Sequence, residues 1–250
     1  MTRTVDHTEM KDSAQVTELR PDTRPSVEVH AAIGTTRAVV LALHGGKADS
    51  FDVSEATHLS SRRLNPFIKA VHKAGKQDGV AVWKVRYRYR GWNGENRSPV
   101  ADAEWALAEV RRVHGDIPVV LLGHSMGGRT AVHVLGDESV VGMVAFGPWL
   151  PDEPFAQATG KQVLIAHGTL DKWTRPTEAL AWAEAARPYA SQLLYLNVRA
   201  TGHFMLWNAW LWTDLAVGFT LSWLGLDPSV GRAATKVLKK AAAGATTLTV

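Results

Sequence analysis

Apolar residues in this chain follow two spacings, and their alternation predicts an architecture. Segment 27–33 (VEVHAAI) alternates apolar and polar positions like a half-buried strand, whereas 38–43 (AVVLAL) is a continuous apolar run ending at His44-Gly45-Gly46. Short unbroken runs of that kind suit strands covered on both faces of a parallel sheet. Four more segments read as strands of this type, 80–87 (VAVWKVRY), 117–122 (IPVVLL), 140–146 (VVGMVAF) and 162–167 (QVLIAH), and 192–198 (QLLYLNV) makes the last. Between them lie stretches of helical spacing, about 65–76, 99–114, a helix opened by Gly127 and reaching about 135, and 176–187. Pro99 and Pro176 sit at helix starts, where proline's fixed φ and missing N–H cost least. Strand–helix alternation predicts βαβ units and a mostly parallel sheet with helices on both faces. With no internal repeat and no linker, residues 25–226 are expected to form one α/β domain.

The run 204–226 (FMLWNAWLWTDLAVGFTLSWLGL) has the length of a membrane span. Asp214 near its middle and the sheet's need for a covering helix favour a core helix instead. Its hydrophobicity is nearly all-round, so part of it is expected to cover a partner subunit in a homodimer or to remain an apolar patch on a monomer. Residues 1–24 are polar, lack the apolar core of a secretory leader and read as a flexible arm, so a cytoplasmic location is expected. The tail 227–250 is basic and rich in Ala and Thr, and is expected to be a weak helix or unstructured.

Composition narrows the chemistry. The 250 residues contain no cysteine, which excludes disulfides, thiolate metal sites and a cysteine nucleophile. The net charge of +4 is unevenly spread: the first 25 residues contribute −1 and the last 25 contribute +3. Stretch 59–90 carries nine basic residues against Asp78 alone. No helix-turn-helix, zinc or RNA-binding motif accompanies it, so a solvated face is favoured over a nucleic-acid partner.

The candidate chemistry begins at Gly123-His124-Ser125-Met126-Gly127. G-x-S-x-G is weak alone, but here it follows an apolar strand directly and opens a helix directly. That context is a nucleophile elbow, in which small residues permit a sharp turn that lifts the serine hydroxyl above the sheet edge. A serine hydroxyl needs a base, and an imidazole base needs a carboxylate to fix its tautomer. Asp171 follows strand 162–167 and His203 follows strand 192–198, each on a short glycine-containing loop. Three such residues at three strand ends lie on one rim, where open parallel sheets place their sites. Amide donors for an oxyanion are expected from Met126 and from the His44-Gly45-Gly46 loop, with Gly46 chosen and Lys47 as the alternative.

The motifs AVVLALHGG, VVLLGHSMGGR, LIAHGTLDKWTRP and ATGHF resemble the α/β-hydrolase superfamily over residues about 38 to 204. The segment VRYRYRGWNG adds a likeness to small bacterial dienelactone-hydrolase-like or esterase-like proteins. The resemblance implies a mostly parallel sheet of about eight strands, no cofactor and no metal. It also implies a triad of Ser125, Asp171 and His203, with oxyanion donors at Gly46 and Met126. One departure is plain: true dienelactone hydrolases use a cysteine nucleophile, and here the position is serine. A small ester or thioester is the expected substrate, with acyl transfer, perhydrolysis or haloperoxidase-like chemistry as alternatives on the same triad, and a non-catalytic binding protein as the rival of another class.

Relatives often insert a helical lid after the sixth strand, but only Gly147 to Lys161 separates 140–146 from 162–167, too short for one. Trp149, Trp173 and Phe204 lie on loops past strand ends and are expected either to wall a substrate pocket or to plug the rim. Arg88 and Arg90 leave the end of strand 80–87 on the same rim. Either one meets an anionic group on the substrate, or they hold the loop, with Asp102 as a partner.

Overall fold

The computed structural model describes residues 23–227 and 231–250, so the expected N-terminal arm lies outside the described residues apart from Thr23 and Arg24. Eight strands form one sheet in the order β1-β3-β2-β4-β5-β6-β7-β8. They are β1 (Ser26–His30), β2 (Ala38–Leu43), β3 (Val80–Arg86), β4 (Val119–His124), β5 (Val140–Phe146), β6 (Gln162–Gly168), β7 (Gln192–Val198) and β8 (Thr247–Thr249). Only β1 runs antiparallel, pairing Ser26 with Arg86 and His30 with Val82. The strand expected over 117–122 begins two residues later, after Pro118, which has no N–H for the ladder.

All six residues of β2 are buried, and alternation assigns them to two cores. Val39, Leu41 and Leu43 pack with Leu107, Ala131 and Trp182. Those three come from α3 (Ser98–His114), α4 (Met126–Val134) and α5 (Pro176–Ala186). Ala38, Val40 and Ala42 pack on the opposite face with Ile68, Leu215 and Val237. These belong to α2 (Asn65–Gly75), α6 (Ala209–Trp223) and α7 (Arg232–Ala242); a four-residue turn, α1 (Leu59–Arg62), precedes α2. An unbroken apolar strand is therefore the signature of a sheet with both faces covered.

The C-terminal segment has more structure than its composition suggests. In α7, Ala234, Val237 and Ala241 are buried, while Lys236, Lys239 and Lys240 on the other face meet solvent or lie at its edge. That apolar stripe explains α6: its hydrophobicity is all-round because the sheet covers one side and α2 and α7 pack on others. Asp214 takes the N–H of Gly231 at 3.2 Å at the start of α7. β8 then closes the sheet edge, with Leu248 opposite Leu196 and the Val250 N–H on the Asn197 carbonyl at 2.9 Å. Among the described residues, no helix is long and apolar enough to cross a membrane. The β5–β6 connection carries one 3₁₀ turn at Ala156–Ala158 and no lid.

Candidate active site

Ser125 stands between β4 and α4 at φ 56 and ψ −121, a conformation that costs a non-glycine residue roughly 1–3 kcal/mol. The surrounding glycines explain how the turn closes. A Cβ on Gly123 would lie 2.6 Å from the Gly127 carbonyl oxygen, and one on Gly127 would lie 1.9 Å from that of Leu43. The Ser125 N–H donates to the Phe146 carbonyl, and its own carbonyl accepts the N–H groups of Gly128, Arg129 and Trp149. The elbow is thereby tied to both β5 and the loop beyond it.

His203 reaches Ser125 from the loop after β7, with Nε2 3.1 Å from Oγ. Its Nδ1–H donates to Asp171 Oδ2 at 2.8 Å, which leaves Nε2 as the lone-pair nitrogen facing the hydroxyl. The loops after β6 and β7 pack so closely that a Cβ on Gly168 would lie 2.3 Å from the Thr201 carbonyl oxygen. The Leu170 N–H donates to that same carbonyl at 2.9 Å, so the two loops are joined where they carry Asp171 and His203.

Asp171 is buried and heavily bonded. Oδ1 accepts the N–H groups of Trp173 at 2.8 Å and Thr174 at 3.0 Å. Oδ2 accepts the Thr174 hydroxyl at 2.9 Å and His167 Nε2 at 3.2 Å, besides His203. Burial alone would raise this carboxyl, but hydrogen bonds from His167, His203 and the Thr174 amide outweigh it and hold the group well below the usual carboxylate range. Behind His203, His124 Nε2–H donates to the His203 carbonyl at 3.0 Å, and the two rings lie 4.8 Å apart. Burial, reinforced by the neighbouring His203, pushes His124 down to about 3, so it stays neutral.

Sequence reading missed Thr174, His167 and His124, although His124 lies inside the elbow motif and His167 in the strand-end His-Gly. Nothing in a linear sequence distinguishes an imidazole that braces a site from one that merely fills the core.

The amides proposed for the oxyanion differ in availability. The Lys47 N–H is committed to the Arg90 carbonyl at 2.8 Å, which removes the alternative donor. Gly46 approaches Met126 so closely that a Cβ would lie 2.4 Å from the Met126 side chain and 2.3 Å from the Arg90 carbonyl oxygen. Met126 opens α4, so its N–H is one of the unpaired donors of a helix N-terminus.

Arg88 is tied to the scaffold by its side chain, and Arg90 by its backbone. Arg88 holds the buried Asp102 through Nε at 2.5 Å and through its backbone N–H at 2.8 Å. Arg90 Nη1 lies 3.9 Å from Asp52, and its N–H bonds the Asp52 carbonyl. The Trp92 and Asn93 amides bond the Lys47 and Ala48 carbonyls, so this segment braces the loop after β2 by its backbone. Trp149 also turns inward: it and Trp92, edge to face, both pack on the Arg129 guanidinium, at 4.3 and 3.9 Å from the ring centroids. Arg129 in turn pairs with the buried Glu153, which also binds His133. Trp173 and Phe204 do stand at the opening, with ring centroids 6.3 and 5.5 Å from His203. Among the described residues no cluster of three or more His, Asp or Glu could hold a metal ion.

The family model described as an alpha/beta hydrolase domain matches residues 61–188. No curated protein matches the chain in sequence. Among solved structures, an alpha-beta serine hydrolase homologue from Coxiella burnetii superposes with a TM-score of 0.58 at 17% identity, over 79% of this chain and 92% of that one. A serine hydrolase without a lid from Xanthomonas campestris gives 0.62 at 16% identity, over 82% and 91%. A propionate-bound thermophilic esterase from Thermogutta terrifontis gives 0.62 at 15%, over 83% and 91%. The strained serine at the β4–α4 turn and the eight-stranded sheet accord with the matched domain: this chain belongs to the alpha/beta-hydrolase family.

Proposed function

We propose that this protein is a serine hydrolase that cleaves a small carboxylic ester or thioester through an acyl-enzyme intermediate. The observation that carries the reading is the continuous relay from Ser125 Oγ to His203 Nε2 at 3.1 Å and from His203 Nδ1 to Asp171 at 2.8 Å. His203 takes the Ser125 proton as Oγ attacks the carbonyl carbon. Asp171, held ionised, stabilises the imidazolium that forms. The Gly46 and Met126 amides receive the developing oxyanion, where preorganised donors contribute most. His203 then gives its proton to the leaving group, and a water activated by the same nitrogen releases the acid.

The opening supports one class of substrate. Trp173 and Phe204 border it, no lid covers it, and Arg88 is held by the buried Asp102. That supports a small apolar or aromatic acyl group over one that must carry an anion to Arg88. The test is a panel of p-nitrophenyl esters and thioesters assayed with wild type and Ser125→Ala. The variant should lose at least about 10³-fold in kcat, and a fluorophosphonate should label Ser125 alone. Undiminished turnover by Ser125→Ala would end the reading.

A further inference from the structure

The segments that flank the site carry exposed apolar side chains in a way a small-substrate hydrolase does not require. Leu59, Leu170, Trp173, Leu206, Trp207 and Trp210 all project to solvent, with Trp173 73%, Leu206 75% and Trp207 69% exposed. Three segments bring them together. The Arg63 N–H bonds the Leu59 carbonyl, and the Arg63 guanidinium lies 5.1 Å over Phe204. Phe204 packs 5.4 Å from Trp173, and Leu170 is bonded to the loop that carries His203. Met205 and Asn208 take left-handed φ values of 54° and 55°. Met205 is anchored in the core while Leu206 and Trp207 are exposed, and Trp210 follows in the first turn of α6. Three tryptophans of roughly 200 Å² each, more than half exposed, exceed the scatter of single apolar residues normal on a monomer.

Charge identifies the occupant. Segments 58–63, 169–175 and 200–210 hold the cations Arg62, Arg63, Lys172 and Arg175, and the single acid is the buried Asp171. Of the four, only Arg175 makes an ion pair among the described residues, with Glu178 at 2.8 Å. A second copy of this chain is a poor fit, because a two-fold contact would set these cations against themselves and seal Ser125. Tryptophan and leucine knobs flanked by Arg62, Arg63 and Lys172 suit a lipid–water boundary, where indoles settle and basic groups meet anionic headgroups. We propose that this rim docks the protein on an anionic lipid surface, with the Ser125 opening turned toward it. The hydrolase reading supplies only the position of the opening; docking is read by binding alone.

The experiment is flotation of the full chain with phosphatidylcholine vesicles, with and without phosphatidylglycerol. Wild type should partition onto the anionic vesicles about tenfold more strongly than onto the neutral ones, and high salt should weaken it. Leu206→Ser/Trp207→Ser/Trp210→Ser should lose about tenfold or more of that partition. Its circular dichroism and its turnover of a short soluble ester should match wild type. Arg62→Glu/Lys172→Glu should abolish the preference for anionic vesicles. Equal partition of wild type and the triple variant overturns the proposal. So does a wild-type dimer in sedimentation velocity that the triple variant dissociates without any vesicle binding. If Ser125→Ala keeps full ester turnover while vesicle binding persists, the hydrolase reading fails and the docking surface stands.

Discussion

His167 Nε2 lies 3.2 Å from Oδ2 of Asp171, the same carboxylate oxygen that His203 engages at 2.8 Å. Two imidazoles thus share one acceptor, and only one of them faces the serine. His167 is a positioning residue in this geometry. His167→Leu is expected to lower kcat about tenfold with KM little changed, because Asp171 loses one of the bonds that orient it. His167→Asn, which restores a donor, should recover part of the loss. A merely structural role would show no such rescue and would move KM together with kcat.

Gly127 allows the elbow to meet β2. Gly127→Ala places a methyl group 1.9 Å from the Leu43 carbonyl oxygen, with backbone on both sides and nothing able to yield. A destabilisation of about 3 kcal/mol or more is expected in urea melts. A variant as stable as wild type would contradict the close approach.

Glu153 neutralises Arg129 in a buried pair at 2.5 Å and also holds His133. Glu153→Ala leaves the Arg129 guanidinium unpaired against two indoles and should cost about 3–5 kcal/mol. Replacing both partners, as in Arg129→Met/Glu153→Leu, should cost much less than the sum of the two single changes. Simple additivity in a double-mutant cycle would sink this account.

Buried histidines set the acid side of the stability profile. Burial pushes His44 down to about 4, and His124, also influenced by His203, down to about 3. Both folded values lie below the unfolded value of about 6.5, so the unfolded chain binds protons first as the pH falls. Stability should therefore drop from about pH 6.5 downward, by roughly 2 kcal/mol per imidazole near pH 5. Asp171, whose folded value is also depressed, keeps its contribution until still lower pH. Denaturant titrations of His44→Asn should show a shallower loss between pH 7 and pH 5; an unchanged slope would refute the assignment.

Arg88 gives a test of specificity. Arg88→Ala removes both its ion pair and its packing against the loop, so neutral and carboxylate-bearing esters should lose activity by the same factor. Selective loss on the anionic ester would return Arg88 to the substrate.

Much of this was legible in the chain because the signals are local. Six strands follow from apolar runs and one from alternation, four helices from their spacing, and the elbow from a strand that ends directly on Gly-x-Ser-x-Gly. The strand-end positions of Asp171 and His203 are likewise sequence features. The eighth strand was not legible, because Thr247–Thr249 is three residues long and two of them are threonine. It becomes a strand only when the edge of β7 offers it unpaired amides and carbonyls. Helix α7 was obscured by its lysines, and its stripe of Ala234, Val237 and Ala241 acquires meaning only against α6.

What the sequence determined by itself is the order of elements and the residues at the strand ends, since hydrophobic period and turn chemistry act over a few neighbours. Tertiary structure decided which of those residues meet. It brought His203 to Ser125 across 78 positions of chain and His167, near the end of β6, to Asp171 on the loop that follows. It also turned Arg88 and Trp149 into the scaffold while leaving Trp173, Leu206 and Trp207 in the open. Whether an arginine faces a substrate or a buried carboxylate depends on packing between segments distant in sequence, and no local pattern encodes that choice.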